Sequence, residues 1–334
     1  MSVGNQPDWQ TGRVVSSSLV ARDVRRITIE RPPRGRAMPG SHLDVRVRIG
    51  DAVDTRSYSV VESSDDGSRL TISVLRTPQS RGGSIHMHGL RAGDELDVTQ
   101  PLQNFPLSVG APSYVLLAGG IGITALVEMG RVLHALRADY TFVYVGRARD
   151  RMAYVDELEL LHGDRLVVHV DDEGSPIDVP ALVASLAADP AAGATELYLC
   201  GPIRLMDAVR RSWEGAGLPP ANLRYETFGN SGWFQPQDFV VSIPRLGIEA
   251  NVGANETMLE ALTRAGADLM YDCRKGECGL CLVDIDQVDG TVDHRDVFLS
   301  ASQKSTDRTL CACVSRVVSA TGSERRPTVS LSLP

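Results

Sequence analysis

The sequence lacks the long apolar segments that are typical of membrane and secreted proteins. No run of about 18 apolar residues, the length that spans a bilayer, occurs among its 334 residues. The segment Met1–Gly12 has no apolar core of the kind that signal peptides contain. We therefore expect a cytoplasmic protein that does not enter a membrane.

The sequence also lacks an excess of basic residues. Its formal net charge is -8, whereas nucleic-acid binding requires a clustered Lys/Arg surface. This balance argues against a nucleic-acid partner. The charge is unevenly distributed, because residues 1–110 carry +2, residues 111–235 carry -6 and residues 236–334 carry -4.

The sequence also lacks the residue patterns of histidine-based metal centres. The seven histidines are scattered, without the Cys-x-His pairs of a Rieske centre or a compact group of two histidines and one carboxylate. His86 and His88 have no carboxylate or cysteine placed to complete a metal site, so we expect local packing or hydrogen bonding. The chain is not expected to hydroxylate a substrate itself.

Length and hydrophobic periodicity predict two or three domains. A chain of 334 residues exceeds one average domain. Arg13–Val98 contains short segments with alternating apolar and polar residues, which predict an antiparallel barrel or sandwich. From Pro112 onward, apolar strands alternate with helices, which predicts a parallel sheet. Gly229–Gly232 is a predicted linker, and a hairpin and a short helix follow it. The predicted strands are 25–30, 42–49, 69–75, 114–118, 140–145, 166–170, 196–200, 239–243 and 248–252.

Five of the six cysteines lie in the final quarter of the chain. Cys273, Cys278 and Cys281 have the Cys-x4-Cys-x2-Cys spacing of the plant-type ferredoxin loop, in which a fourth, distant cysteine completes a [2Fe-2S] site. A zinc site is less favoured, because structural zinc usually uses paired Cys-x2-Cys spacing. The spacing leaves both Cys311 and Cys313 as candidates for the fourth ligand.

Two further glycine-rich segments are candidates for binding phosphate groups. Ser80–Ser84 precedes a predicted short helix, and its backbone N–H groups could hold a phosphate. Arg56–Ser59 lies at the end of a predicted exposed loop, opens a predicted strand and could contribute to the same site. Leu117–Thr124 follows a strand and leads into a helix, where glycines allow a pyrophosphate to approach the backbone. Cys200–Pro202 follows another strand and is predicted to bind the nucleotide together with Leu117–Thr124.

The order of these motifs resembles the phthalate dioxygenase reductase and vanillate O-demethylase reductase family over nearly the whole chain. Asp293–Asp296 and Tyr225–Gly229 also resemble segments of that family. The resemblance implies a multidomain protein with three parts. These are an FMN-binding antiparallel β-barrel domain (8–108), an NAD-binding α/β domain with a parallel sheet (111–229) and a C-terminal β-grasp plant-type [2Fe-2S] ferredoxin domain (237–334).

The resemblance also implies roles for individual residues. Tyr58 would pack on the isoalloxazine ring, Arg56 would meet the phosphate of FMN, and Phe228 would cover the flavin ring until nicotinamide displaces it. The implied flavin-binding residues are Arg56, Ser57, Tyr58, Ser59, Ser73, Val74, Leu75, Gly82, Gly83 and Ser84. The implied nucleotide-site residues are Gly119, Gly120, Gly122, Thr124, Arg147, Asp171, Cys200, Gly201, Pro202, Met206 and Phe228.

Within that set, the resemblance places Cys200 beside the nicotinamide and Thr124 near the flavin, and with Phe228 these form the implied catalytic group. Ala125 departs from the family, which usually has proline there. The Val-Ser-Arg segment after Cys313 favours Cys313 over Cys311 as the fourth cluster ligand by the same resemblance.

The implied function is electron transfer from NADH, through FMN and the [2Fe-2S] cluster, to a Rieske-type non-haem iron oxygenase or demethylase that is a separate protein. A cytochrome P450 as acceptor is the alternative, and a redox sensor without steady turnover is a third hypothesis. Asp171, Asp172 and Glu173 favour NADH over NADPH, whereas Arg147 and Arg149 could accept the 2′-phosphate. We expect a monomer whose acidic ferredoxin segment docks on a basic patch of the acceptor, with Glu277 as a docking residue.

Overall fold

The computed structural model describes residues 7–50, 52–77, 82–189, 192–229, 231–320 and 325–333. The chain divides into two compact units. The first comprises residues 1–201 and 212–226, and the second comprises residues 202–211 and 227–334. No helix within the described ranges is long and apolar enough to cross a membrane.

The N-terminal part of the first unit is a closed antiparallel barrel of six strands. Neighbouring strands follow the order β4-β5-β2-β1-β6-β3, and β3 pairs again with β4 to close the barrel, with β7 added beside β3. The elements are β1 (Trp9–Ala21), β2 (Val24–Glu30), β3 (Ser41–Ile49), β4 (Ala52–Ser63), β5 (Arg69–Leu75), α1 (Gly83–Gly89), β6 (Glu95–Thr99) and β7 (Leu102–Gln103).

The barrel core follows from alternation along the strands. Successive side chains of a strand point to opposite faces, and in β3 the apolar residues Leu43, Val45 and Val47 are fully buried while Arg46 and Arg48 are exposed. Ile27, Ile29, Leu70 and Ile72 join the same core from β2 and β5.

The rest of the first unit contains a five-stranded parallel sheet with the order β10-β9-β8-β11-β12. The strand order reverses at β8, which has β9 on one side and β11 on the other. In such sheets ligands bind outside the carboxyl ends of the strands at this point. The elements are β8 (Ser113–Gly119), α2 (Ile123–Ala135), β9 (Tyr140–Gly146), α3 (Val155–His162), β10 (Leu166–Val170), α4 (Val179–Ala188), β11 (Thr195–Cys200), α5 (Ile203–Gly215) and β12 (Leu223–Glu226).

The C-terminal part of the second unit has a five-stranded mixed sheet with the order β14-β13-β19-β15-β17, together with a small β16–β18 pair. Helix α6 contributes Leu259 and Leu262 to the core, and Thr257 and Glu260 form a capping box at its start. The elements are β13 (Phe239–Ile243), β14 (Ile248–Val252), α6 (Met258–Arg264), β15 (Leu282–Asp289), β16 (Thr291–Asp293), α7 (Ala301–Lys304), β17 (Thr309–Cys311), β18 (Arg316–Val318) and β19 (Thr328–Ser332).

The predicted fold class is confirmed by this architecture. Every predicted strand has a counterpart, and β5, β10, β13 and β14 have the predicted bounds. One local prediction is wrong: Arg56–Ser59 does not open a strand but lies in the middle of β4. The polar run Asp54–Ser59 contains few apolar residues, so alternation did not reveal that β4 already begins at Ala52.

Candidate functional site

The residues predicted to bind flavin lie on two barrel strands and at the start of α1. In β4, Tyr58 is opposite Leu43 and packs against the barrel core, and burial raises the pKa of its hydroxyl. Arg56 lies two residues earlier, and therefore on the same face of the strand. Its Nη1 donates to Asp54 Oδ2 at 2.5 Å.

Arg56 also reaches the predicted phosphate turn. A Cβ atom on Gly83 would lie 3.1 Å from Arg56 Cγ and Nε, so the side chain of Arg56 lies directly against this glycine. Gly82 has φ 104°, and a Cβ atom there would lie 2.6 Å from Ile49. Position 82 thus requires glycine, and the turn presents its backbone beside a guanidinium group. Ser80 and Arg81 of the predicted turn lie outside the described residues.

Several of the other predicted flavin residues have partners within the protein. Ser57 Oγ donates to Asp44 Oδ1 at 2.6 Å, and Ser73 Oγ shares a 2.5 Å hydrogen bond with Tyr154 OH. His88 Nε2 lies 2.9 Å from the carbonyl oxygen of Val74, to which it can only donate. His88 therefore makes a local hydrogen bond, as expected. Tyr154 was missed by sequence reasoning, because its contact with β5 depends on a left-handed backbone conformation (φ 69°) that no local pattern reveals.

Ser59, Leu75 and Ser84 complete the predicted flavin set. Ser59 is buried on β4 opposite His42, Leu75 ends β5, and Ser84 is in the first turn of α1, where its Oγ accepts a hydrogen bond from Thr77 N at 3.4 Å. The predicted flavin residues thus lie in the middle of β4, at the end of β5 and at the start of α1.

The two predicted nucleotide motifs meet at the switch point of the parallel sheet. Gly119 ends β8 and Cys200 ends β11, and these strands are adjacent, with Cys200 opposite Ala118. A Cβ atom on Gly122 would overlap the Cys200 carbonyl oxygen and would lie 2.8 Å from Gly201 N. The glycine turn therefore packs backbone to backbone against Cys200–Gly201, which leaves a side-chain-free surface of the kind that pyrophosphate binding needs.

The side chains around this turn are tightly buried. Cys200 is fully buried and Thr124 is 2% exposed. Thr124 Oγ1 donates to the Ile121 carbonyl oxygen at 2.9 Å, which closes the first turn of α2. Gly120 adopts φ 53° in the same turn.

Arg147 and Asp171 follow adjacent parallel strands at the same edge of the sheet. In register, Gly146 on β9 is opposite Val170 on β10, and both predicted residues come directly after this pair. Glu173 is held by Arg149 through two hydrogen bonds of 2.9 Å. Asp171 therefore stands as an exposed carboxylate beside Arg147, whereas Arg149 is already neutralised.

Pro202, Met206 and Phe228 belong to the second unit. Pro202 immediately precedes α5, and Met206 is fully buried within it. Phe228 is half-buried and follows Thr227, whose backbone N–H donates to Glu277 Oε1 at 2.8 Å. Glu277 is therefore not a freely solvated loop charge, because its carboxylate holds the segment next to Phe228.

The cysteine loop has the geometry of a cluster-binding loop. The backbone N–H groups of Lys275, Glu277 and Cys278 point to Cys273 Sγ at 3.3–3.4 Å. Gly276 has φ 77°, and a Cβ atom there would lie 2.7 Å from Val314 Cγ2. Gly279 has φ 73° and lies against the ring of Phe298.

The distant cysteines approach this loop. Cys313 hydrogen-bonds to Cys273, which with the loop amides lowers the pKa of Cys273 to about 4. Hydrogen bonds from Cys311 and Cys313 lower the pKa of Cys281 to about 3. Both distant thiols have raised pKa values, mainly because of these hydrogen bonds. Cys313 thus contacts two sulfurs of the loop, and Cys311 contacts one.

The donor set fits a [2Fe-2S] cluster. Thiolates are the ligands that such clusters require, and backbone N–H groups directed at sulfur are typical of their binding loops. Cys273, Cys278, Cys281 and one of the two distant cysteines supply four thiols around a loop whose glycines exclude side chains.

A buried carboxylate on α5 was missed by sequence reasoning. Asp207 is 7% exposed and accepts hydrogen bonds from Trp233 Nε1 at 3.2 Å and Lys304 Nζ at 3.1 Å. It lies four residues after Ile203 on the buried face of α5, where a charged residue needs a partner. A charged residue at a position where the helical pattern predicts burial was the signal that could have revealed Asp207.

The chain is similar to known proteins in both sequence and structure. Residues 242–318 match the 2Fe-2S iron-sulfur cluster binding domain family. The chain is 35% identical to the phenoxybenzoate dioxygenase subunit beta of Ectopseudomonas oleovorans, over 91% of this chain and 93% of that protein.

Solved structures also resemble the whole chain. Phthalate dioxygenase reductase has a TM-score of 0.69 and 30% sequence identity, over 97% of this chain and 98% of that chain. An intact type IV self-sufficient cytochrome P450 monooxygenase has a TM-score of 0.63 and 33% identity, over 100% of this chain and 42% of that much longer chain. On these similarities, the barrel, the glycine switch point and the cysteine loop are parts of one enzyme, and the chain belongs to the phthalate dioxygenase reductase family of NADH-dependent oxidoreductases that use a flavin and a [2Fe-2S] cluster.

Proposed function

We propose that the chain is the reductase component of a Rieske-type non-haem iron oxygenase or demethylase, with FMN as its flavin. The observation that carries the proposal is the convergence of Cys313 with Cys273 and Cys281 in a chain that also contains the flavin barrel and the nucleotide switch point. When bound, the three groups supply hydride transfer from NADH, storage of two electrons on the flavin and delivery of single electrons by the cluster.

The residues of the chain bind and orient these groups. We assign Cys273, Cys278, Cys281 and Cys313 as cluster ligands, with the loop amides supporting Cys273. We assign Gly119, Gly120, Gly122 and Gly201 to the NADH pyrophosphate, for which their backbone leaves room. We assign Cys200 and Thr124 to the nicotinamide and the flavin, and Pro202, Met206 and Phe228 of the second unit are the remaining nucleotide residues that the resemblance implies. This transfer requires no acid–base catalyst.

FMN rather than FAD is the flavin that the family resemblance implies. Arg56 lies against Gly83, so a guanidinium group and the backbone of Gly82–Ser84 lie side by side where they can bind a phosphate. Tyr58 packs beside the ring, with Ser57, Ser59 and residues 73–75 around it. Chromatography of the flavin released by heat identifies it, and mainly FAD would reject this assignment.

We further propose the domain limits 8–108, 111–229 and 237–334, and a monomer as the working form.

Dioxygenase systems among the similar proteins support an oxygenase acceptor. Purified protein should reduce its cluster when NADH is added without oxygen, as seen by electron paramagnetic resonance. It should then support product formation by a matching Rieske oxygenase.

A cytochrome P450 is the second candidate acceptor. The specific observation is that the whole chain matches part of a P450 monooxygenase at 33% identity. The two candidates separate when the reduced protein is mixed with each class of oxygenase. Transfer to a P450 alone would reject the Rieske assignment, and a protein without steady NADH oxidation in the presence of any acceptor would indicate a redox sensor instead.

A further inference from the structure

The buried carboxylate of Asp207 connects helix α5 to the ferredoxin part of the second unit. Asp207 accepts hydrogen bonds from Trp233 Nε1 and from Lys304 Nζ, and the Arg210 guanidinium lies 3.7 Å away on the next turn of the helix. Lys304 ends α7 and its side chain is only 12% exposed. An ion pair that is this well buried is costly to form and even more costly to break on one side only.

Further hydrogen bonds connect Lys304 to the cysteine loop. Lys304 Nζ also donates to the Asp296 carbonyl oxygen at 2.6 Å. The next residue, Val297, donates its backbone N–H to the carbonyl oxygen of Gly276 at 2.9 Å. Gly276 lies between Cys273 and Cys278. Two hydrogen bonds of Lys304 and one of Val297, linked through the Asp296–Val297 peptide, therefore connect Asp207 to the loop that carries three of the assigned cluster ligands.

Neighbouring contacts fasten the same half of α5. Ile203 N donates to Ser231 Oγ at 2.9 Å, and Arg210 Nη2 donates to the Leu299 carbonyl oxygen at 3.2 Å. The guanidinium of Arg204 lies 5.3 Å from the ring centre of Trp233. The helix begins directly after Cys200–Gly201–Pro202, so the chain passes from the nicotinamide motif directly into the half of α5 that makes these contacts.

We propose that Asp207 is a positioning residue for electron transfer to the cluster: its ion pair with Lys304 fastens the first half of α5 to the ferredoxin part and thereby sets the rate of the flavin-to-cluster step. This inference rests on the proposed function. Electron transfer slows steeply as carriers separate, so a looser attachment affects this step and not hydride transfer. Neither Asp207 nor Lys304 belongs to the predicted flavin, nucleotide or cluster residues.

The test uses the full-length holoprotein and rapid mixing with NADH in the absence of oxygen. Asp207→Asn and Lys304→Gln each remove one charge, and the double variant removes both. Glu256→Gln is the matched control, because it breaks an ion pair with Arg264 elsewhere in the same unit. Flavin bleaching reports hydride transfer, and freeze-quenched electron paramagnetic resonance reports cluster reduction. Hydrogen exchange of the amides of residues 206–211 reports the attachment of α5 independently of turnover.

Each single variant should slow cluster reduction by about tenfold or more, as expected for a displaced reacting group, while flavin bleaching stays within about twofold. Exchange at residues 206–211 should increase. The double variant should be no slower than the slower single variant, because both changes break one contact. The control should match the wild type in all three readouts.

Equal slowing of both steps would overturn the proposal and show that Asp207 supports the nucleotide site or the fold. Unchanged cluster reduction in folded variants would also overturn it. If Asp207→Asn does not fold, Lys304→Gln decides between the same outcomes. Failure of the wild type to reduce its cluster with NADH would reject the proposed function itself, which keeps the two failures distinct.

Discussion

At the scale of single residues, the cysteines decide the chemistry that the chain can support. Cys311 and Cys313 are both buried and both hydrogen-bond to Cys281, but Cys313 also reaches Cys273. Cys311 lies on β17 opposite Leu282 and within the apolar core of the sheet. A small buried thiol in such a core is a common packing residue.

We predict that Cys313→Ser loses the [2Fe-2S] cluster and that Cys311→Ser retains it. Serine at 313 removes a thiol that contacts two loop cysteines, whereas serine at 311 removes a thiol that contacts one of them. Iron content and the electron paramagnetic resonance signal of the reduced protein measure the result. The opposite pattern would move the fourth ligand to Cys311.

A second residue-scale prediction concerns His162. Its Nδ1 lies 2.7 Å from Tyr140 OH, and burial, with nearby His134, Arg131 and Arg165, lowers the pKa of His162 to about 4. In the unfolded chain His162 has its usual pKa of about 6.5. Between pH 6.5 and 4 the unfolded state therefore binds more protons than the folded state. Folding stability contributed by neutral His162 is therefore lost as the pH falls through that range.

The His162→Gln variant should show a weaker loss of stability on acidification. The shift corresponds to on the order of 3 kcal/mol when complete, from 1.4 kcal/mol for each pKa unit. Urea unfolding of both proteins at pH 7, 5.5 and 4.5 measures the difference. Identical pH slopes in the two proteins would show that His162 does not titrate in this way.

At the scale of secondary-structure elements, the glycine turn between β8 and α2 depends on β11. Gly122 has no room for a side chain, since a Cβ atom would overlap the Cys200 carbonyl oxygen. Gly120, in the same turn, has no neighbour within 4 Å of such an atom but adopts φ 53°. Gly120 meets a conformational requirement of the turn, and Gly122 allows the turn to approach the end of β11 closely.

We predict that Gly122→Ala destabilises the fold by about 3 kcal/mol, because backbone cannot move aside as a flexible side chain can. It should also weaken NADH binding, since Cys200–Gly201 would be displaced. Gly120→Ala should cost only about 1–2 kcal/mol, the cost of a left-handed alanine. Equilibrium unfolding and NADH titration measure both effects. Equal losses for the two variants would contradict the packing argument.

We expect the choice between NADH and NADPH to be made where β9 and β10 end. Asp171 is exposed beside Arg147, while Arg149 is neutralised by Glu173. We predict a preference for NADH, because the Asp171 carboxylate repels a 2′-phosphate. Comparable kcat/KM values for the two nucleotides would reject this prediction.

The Asp171→Asn variant should raise kcat/KM for NADPH roughly tenfold, since exposed like charges a few ångströms apart repel by on the order of 1 kcal/mol. The control is Asp164→Asn, an exposed carboxylate before the other end of β10. An equal gain in the control would attribute the effect to the net charge of the protein. Wild-type behaviour of Asp171→Asn would assign nucleotide choice to other residues.

At the scale of the whole molecule, charge is expected to govern association with the oxygenase. Residues 236–334 carry 10 basic and 14 acidic side chains. The Asp293–Arg295 ion pair is buried, whereas Asp284, Asp286 and Asp289 are exposed along β15, which begins directly after Cys281. This strand therefore presents an acidic surface that starts beside the cluster ligands.

We predict that oxygenase reduction slows as salt is raised to about 0.5 M, because screening shortens the range of attraction between exposed charges. Reduction of a small neutral dye should stay nearly constant. Replacing Asp284 and Asp289 by Asn should weaken the salt dependence. Glu277→Lys should also slow oxygenase reduction, but it breaks the hydrogen bond to Thr227, so Glu277→Gln is its control. Salt-independent reduction by the wild type would reject electrostatic docking.

The sequence alone determined the fold class and the kinds of groups that are bound. Alternation in segments such as 42–49 predicted an antiparallel barrel or sandwich, and apolar runs that alternate with helices predicted the parallel sheet. The Cys273–Cys281 spacing predicted a [2Fe-2S] loop, which the matched cluster-binding domain supports. These features are local, because neighbouring side chains and short spacings along the chain produce them.

The tertiary structure decided everything that depends on contacts between distant segments. It packed Gly122 against Cys200–Gly201 and brought Cys313 to two loop cysteines, whereas spacing alone left Cys311 and Cys313 equivalent. It also paired the buried Asp207 with Lys304, 97 residues away. No local pattern specifies such partners, because a buried charge or a close backbone approach is satisfied by whichever segment the whole fold brings beside it.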